Sequence, residues 1–391
     1  MELTSRISFL NQTRYIFLIR LKGSDILMTY KKGFLMITIL IIFSITLSSC
    51  KGPRSSQSRL QRIDNNELIV AIGSEPENGF DSTTGGHGSI TKVLFSTLFK
   101  RDKELGWTND LATGYSISED KLRWTVTLRE DAVFTDGTPV LAEDVAYTYL
   151  TAKDSGSDID LTMIERITTL NDHTVEFQIT RPYSTFIEKL AYLGIVPKHA
   201  HNERFKDHPI GSGPYEFVQW DKGQQVIFKA NESYYGDIPK IKKLTIVFLE
   251  MDTAYLAVKT GDVDVVQVNG NLASSTGPDL QVIHLDSIEC YGVSFPMIPR
   301  EGKVSSQGAN MGNDVTSNLA IRKALNTAVD REKIVDHILY GYGTISTTGL
   351  EKMPWLNEET ILELWEYGDI EKAKAILAEG GWSDTDGDGI L

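Results

Sequence analysis

The chain closes on GWSDTDGDGIL, where Asp384, Asp386 and Asp388 alternate ahead of Gly389. That spacing matches the first, third, fifth and sixth positions of a calcium loop, in which alternate carboxylates face one ion. Such a loop also needs a bidentate glutamate at its twelfth position, which falls after Leu391, so an ordinary Asp/Gly turn is the competing reading. A second candidate is KHAHNERFKDH, where His199, His201 and His208 offer imidazole nitrogens to a metal. The same segment reads as a polar, solvated loop. A third is Gly85-Gly86-His87-Gly88: glycines let backbone approach a ligand closely and His87 adds an imidazole, although a flexible surface loop has the same composition.

Nucleophilic chemistry has a weaker claim. Ser89-Ile90-Thr91-Lys92 fits Ser-x-x-Lys and Lys259-Thr260-Gly261 fits Lys-Thr-Gly, the pair used by penicillin-recognising serine acyl-transfer enzymes. Those enzymes need the first at a helix start, the second on a neighbouring strand and a Ser-Asp-Asn element, which is absent from the sequence. Lys259 is expected at the end of a helix capped by Gly261, where a lysine favours the negative pole. The chain has no His-Glu-x-x-His and no P-loop. The expectation is therefore a protein that is not an enzyme and needs no cofactor.

Cys50 carries a different chemistry. Lys31 and Lys32 form a positive start, Phe34 to Leu47 an apolar run, and Leu47-Ser48-Ser49-Cys50 a close with small residues. The order is that of a secretory signal. The close resembles a bacterial lipobox, in which the cysteine takes a diacylglyceryl thioether and becomes the new amino terminus. An uncleaved anchor is the alternative, with Gly33–Ser49 at the short limit for a span. Residues 1–27 fit no signal, and Met28 is read as the true start. Residues 1–50 are thus expected to be a leader, and 51–63 a flexible tether. The remaining cysteine, Cys290, is expected as a buried thiol.

These groups need elements to position them. At 391 residues, with 41% hydrophobic side chains, the chain is globular and long enough for two or three units. Its net charge of −14 is set against a basic leader, so the body is more acidic still. Such a body is repelled by nucleic acid, and none is expected as a partner. Strands are read in ELIVAIG (67–73), RWTVTLRE with Trp124, Val126 and Leu128 inward, TVEFQIT with Val175, Phe177 and Ile179 inward, and in YEFVQW, QQVIFKAN, KLTIVFL and DVDVVQV between 215 and 268. Glu143 and Asp144 open a helix. Asp252 is read as the cap of TAYLAVKT, Asp330 of REKIVDHILY and Asp369 of IEKAKAILAE. NLAIRKALNTAV is expected to gather Leu319, Ile321, Leu325 and Ala328 near one face. The mixture argues α/β.

Five segments in order resemble the extracytoplasmic solute-binding proteins of ABC importers, in the large family, family 5, that binds peptides, nickel complexes and haem. They are EPENGFD (75–81), the block 110–149 containing LREDAVFTDGTPVLAEDVAYTY, GSGPYEF (211–217), AVKTGDVDVV (257–266) and IRKALNTAVDREKIVDHILYGYG (321–343). One departure is Leu141, where the family usually places a Thr or Ser cap. The resemblance implies a two-lobed periplasmic-binding-protein fold, type II-like, with an extra subdomain. The first lobe would comprise 64–98 and 208–287, the inserted subdomain 99–207, and a partial second lobe 288–391. GGWSDTDGDGIL resembles a stretch from the middle of that second lobe, so the lobe is expected to be incomplete and the chain truncated. The resemblance also implies that Glu75, His87, Trp220, Tyr291 and Phe295 border the ligand cleft, with Trp107 and Tyr215 among the aromatics near lobe junctions. It implies a monomer, anchored by lipid on the extracytoplasmic face of the cell membrane, that captures a peptide or nickel complex and delivers it to a membrane permease. A non-functional fragment of such a protein is the alternative.

Overall fold

The structure, a computed structural model, describes residues 7–11, 15–20, 54–85, 88–155, 159–285, 290–302, 304–305, 308–309, 311–346 and 366–389. Cys50, the apolar run before it and His87 lie outside the described residues. Among the described residues no helix is long and apolar enough to cross a membrane. The chain divides into two compact units, Ile19–Val266 on one side and Met1–Leu18 with Gln267–Leu391 on the other. The division falls earlier than the 287/288 boundary expected from the resemblance.

Within the unit Ile19–Val266, the strand Glu67–Ile72 runs parallel to Lys243–Phe248 on one side and pairs in parallel with Val265 and Val266 on the other. Lys243–Phe248 is antiparallel to Gln225–Ala230, which forms a hairpin with Tyr215–Asp221. The β-branched run in ELIVAI and the alternation in QVIFKA suit such a sheet. Tyr215–Asp221 therefore points the same way as Glu67–Ile72, and Asp221, Gln225, Phe248 and Ile72 share one end of the sheet. Phe80, Leu94, Phe95, Phe205, Val226 and Phe228 pack on this sheet as one core.

A second, antiparallel sheet lies in the same unit, with strands in the order Ala112–Ile117, Arg123–Leu128, Thr174–Ile179, Ile164–Asn171. Trp124, Val126 and Leu128 point inward, as do Val175, Phe177 and Ile179, so the period-two reading of both strands is met. Helix Ala142–Asp154 covers that face through Val145, Tyr149 and Ala152, while its Tyr147 packs against the other core. Leu141 supplies no side-chain cap, but the Asp144 carboxylate accepts from the Leu141 N–H at 2.9 Å and from the Lys198 N–H at 2.9 Å. The missing Thr or Ser is thus offset from three residues on, which is half of a capping box.

Several local expectations change. Residues 51–63 were expected as a tether, yet a helix spans Arg54–Asp64. The cause is tertiary: Arg62 donates to the Gly261 carbonyl at 2.9 Å and to Asp264 at 3.1 Å, and Arg59 lies 3.8 Å from the same carboxylate. Asp252 is not a cap, because that helix already begins at Met251; Gly261 ends it in the left-handed conformation at φ 85°, as expected.

In the other unit, Asp369 caps helix Ile370–Glu379 and Asp330 caps Arg331–Lys333, each accepting from the backbone N–H three residues on. The turn after Lys333 continues as a wider helix over Ile334–Ile338. Helix Leu319–Ala328 buries Ile321, Ala324 and Thr327, but Leu319 and Leu325 are exposed, so the inward stripe is rotated from the expected one. Strand Cys290–Val293 pairs antiparallel with Ile7–Asn11. Cys290 is exposed there, not buried as expected: a four-residue strand with every side chain exposed gives it no cover.

Candidate ligand-binding site

The loop that leaves strand Glu67–Ile72 runs over the sheet end where parallel strands present their carboxyl termini. Ligands of open α/β sheets bind outside that end. Glu75 sits three residues beyond the strand, half-buried, and Trp220 lies near the end of the hairpin strand on the same edge. The two are joined: the Trp220 indole N–H donates to Glu75 Oε1 at 2.7 Å, and the Gly223 N–H donates to the same oxygen at 2.8 Å. Phe80 meets the indole edge-on at 5.0 Å and the Lys222 ammonium lies 4.6 Å from its centroid. Glu75 thereby fixes the hairpin turn to the strand-exit loop, and the indole is held by contacts on several sides.

The next residues of the loop are clamped. Gly79 adopts φ +78°, and a Cβ there would fall 2.5 Å from the Lys206 carbonyl oxygen, so the close approach requires glycine. The Phe80 N–H donates to that carbonyl at 2.8 Å. Asp81 then caps the short turn Ser82–Thr84 through Oδ1, which accepts from the Thr83 N–H at 2.9 Å and the Thr83 hydroxyl at 2.7 Å. Its Oδ2 lies 3.0 Å from His201 Nε2, and His201 Nδ1 lies 2.8 Å from the Tyr147 hydroxyl. With Nε2 protonated and donating to Asp81, Nδ1 accepts from Tyr147, and every partner is satisfied. Burial raises the Asp81 carboxyl, but hydrogen bonds from His201 and Thr83 outweigh it and hold Asp81 below its ordinary value. Ser82 donates to the Gly194 carbonyl at 2.6 Å and Ser155 to the Thr83 carbonyl at 2.7 Å. This clamp delivers the chain to Gly85, at the start of the GGHG segment.

The histidines therefore part company. His201 is half-buried between Asp81 and Tyr147, where a solvated loop was expected, because Phe205 from its own loop inserts into the core and its ring lies 4.8 Å from the imidazole. His199 remains half-exposed and lies 2.7 Å from Asp136 Oδ2. Burial raises the Asp136 carboxyl, but Thr138 and His199 bond it and hold it below its ordinary value. His208 is exposed, with its ring 5.9 Å from Phe217.

Asp384, Asp386 and Asp388 are exposed, with one ligand atom from each within 4.8 Å of the others. Asp384 also closes the loop itself, accepting from Gly387 at 2.6 Å and Gly389 at 2.9 Å, with both glycines at positive φ. Those backbone donors hold the Asp384 carboxyl below its ordinary value. This is the hydrogen bonding of an Asp/Gly turn. Tyr291 is exposed and Phe295 half-buried, both in the unit that contains Gln267–Leu391. Trp107 lies under the Arg101 guanidinium at 3.7 Å, and Tyr215 is half-buried beside the sheet core. Lys259 stands at the end of helix Met251–Thr260 with its ammonium 5.1 Å from the Tyr255 ring, not on a strand, so the acyl-transfer geometry is not assembled.

Residues 106–391 match the model of the bacterial extracellular solute-binding proteins, family 5 Middle. The chain belongs to that family. Among relatives of this family 5 member, the oligopeptide-binding protein AppA of Bacillus subtilis is 29% identical, over 92% of this chain and 68% of its own. The nickel-binding periplasmic protein of Escherichia coli is 29% identical, over 70% and 53%. Among solved structures, NikZ from Campylobacter jejuni in complex with Ni(L-His) matches with a TM-score of 0.66 and 27% identity, covering 83% of this chain and 65% of NikZ. AppA from B. subtilis in complex with a nonapeptide matches with a TM-score of 0.64 and 25% identity, covering 83% and 66%. The chain thus spans about two thirds of the length of these solved relatives. The fold is shared with the periplasmic binding proteins, an α/β fold of mixed sheets.

Sequence reading singled out Glu75 and Trp220 separately and missed that they bond to each other. It missed the Asp81–His201–Tyr147 lock entirely. Asp81 was visible inside EPENGFD, but nothing in AYTY marked Tyr147 as the partner of a histidine lying in another segment.

Proposed function

We propose that this family 5 member is the substrate-binding subunit of an ABC importer and takes a peptide or a nickel complex. The observation that carries the reading is the match over residues 106–391, together with relatives of both kinds in sequence and in fold. Glu75 and Trp220 form its ligand-facing edge at the carboxyl end of the parallel strands. The protein acts by binding, without chemistry on its ligand. A ligand that favours one arrangement of the chain shifts the population by its differential affinity, and the loaded form delivers to a membrane permease. The diacylglyceryl thioether at Cys50 holds the chain as a monomer on the extracytoplasmic face of the membrane.

The test is a thermal-shift titration of the chain with two probes, a nonapeptide library and Ni(L-His). A binder present at a hundredfold over its Kd stabilises by about 2.7 kcal/mol. A saturable rise in Tm with one probe identifies the ligand class. No rise with either removes the binding function from this chain and leaves the reading of a non-functional fragment.

A further inference from the structure

We propose that helix Arg54–Asp64 lies on the bilayer surface and sets the orientation at the membrane of the sheets that follow it, up to Val266. The inference rests on the reading of Cys50 as a lipid anchor. Only Lys51, Gly52 and Pro53 separate Cys50 from the first helical residue. At ~3.3–3.6 Å per residue, the helix starts no more than ~14 Å from the anchored cysteine. The interfacial layer of one leaflet is ~5–8 Å deep. A tether of that reach lets the helix meet the headgroups.

The helix is also tied to the fold on one side. Arg59 and Arg62 reach Asp264, whose other oxygen accepts from the Ile69 N–H at 2.9 Å in the central strand. An ion pair shared among two guanidiniums, a carboxylate and a strand amide makes the helix part of the sheet's framework. On the adjoining face, Leu60 and Ile63 are 54% and 43% exposed, one helical turn apart. Two apolar side chains facing water beside a lipid anchor can gain burial by entering the interface, as interfacial helices do. Charge points the same way. Residues 51–64 carry Lys51, Arg54, Arg59 and Arg62 against Asp64, and with Arg59 and Arg62 set against Asp264 the segment keeps a net positive charge in a chain whose net charge is −14. Basic side chains near an anionic leaflet are attracted to it. A protein partner fits less well, because a stable interface buries roughly 1,000 Å² or more and this face offers two apolar side chains. The lipid does the anchoring; the helix removes rotational freedom.

The experiment uses the lipidated chain in vesicles of phosphatidylglycerol and phosphatidylethanolamine, in a Cys290→Ser background. Leu60→Cys carries an environment-sensitive nitrobenzoxadiazole label, and Leu170→Cys, on the antiparallel sheet and 52% exposed, carries it as control. The expected result is a blue-shifted emission at position 60, quenched by headgroup-proximal spin-labelled lipid and absent from the unlipidated Cys50→Ala chain. Position 170 reports water in both. Mass spectrometry of Cys50 separates the two failures. A chain without the thioether overturns the anchor reading, and this proposal with it. A lipidated chain whose label at 60 reports water, as in the Cys50→Ala chain, overturns this proposal alone.

Discussion

In the unit Ile19–Val266 the largest fully buried side chains of the described residues gather: Tyr149, Phe177 and Phe186 under one sheet, Phe80, Phe95 and Phe228 under the other. In the unit that holds Gln267–Leu391, large apolar side chains of the described residues stand in water. Leu319, Leu325, Ile338 and Ile370 are all exposed, and the buried apolar side chains among the described residues, such as Val268, Leu280, Ile321, Ala324 and Ala373, are no larger than leucine or isoleucine. The physical difference is the number of layers. Phe177 has a sheet of its own and helix Ala142–Asp154 over it. Helix Leu319–Ala328 packs on helix Ile370–Glu379, so close that a Cβ on Gly380 would fall 2.3 Å from the Ala320 Cβ, and among the described residues its other faces stay open. A helix with one neighbour buries one stripe, whichever apolar residues its sequence offers.

The comparison can be broken at three points. Phe177→Ala should be the most damaging change, because it opens a cavity between sheet and helix; about 3–5 kcal/mol is expected, read as a fall in the urea midpoint. A loss under about 1 kcal/mol would mean that this unit is no better packed than the other. Asp81→Asn should cost about 1–3 kcal/mol at neutral pH by weakening the buried lock. Its pH dependence sharpens the point. Asp81 titrates below its ordinary 3.8 in the folded protein, so its contribution is present above that value and is lost as pH falls through the folded pKa. The difference in Tm between wild type and variant should therefore shrink in acid; a constant difference down to strongly acid pH would show that the carboxylate's ionisation is irrelevant. Leu325→Ser should be nearly silent, within about 0.5 kcal/mol, since Leu325 is already 39% exposed. A larger loss would show that this helix face is covered in solution.

Elements with a strong period and a partner on both sides were legible. Arg123–Leu128 and Thr174–Ile179 turn inward at the residues that alternation selects, because a pleated strand has two faces and one of them meets a core. Caps were legible where an aspartate faces backbone amides three residues on, as at Asp330 and Asp369. Short strands such as Phe99–Arg101 and Trp107–Asn109 were not, since three residues carry no usable period. Glu75 and Trp220 could be named from the chain, but only as two separate candidates.

By itself the sequence determined the family, the α/β class and the order of the main strands, because these follow from local periodicity and from motifs that keep their order along the chain. The tertiary structure decided what each polar group is for. His201 became a half-buried lock, His199 a surface pair and Glu75 the holder of Trp220, and 54–64 became a helix because Asp264, some two hundred residues on, supplies the charge that its arginines need. Partners so distant in the chain leave no mark on local spacing. Their energy depends on distance and burial, and both exist only once the chain has folded.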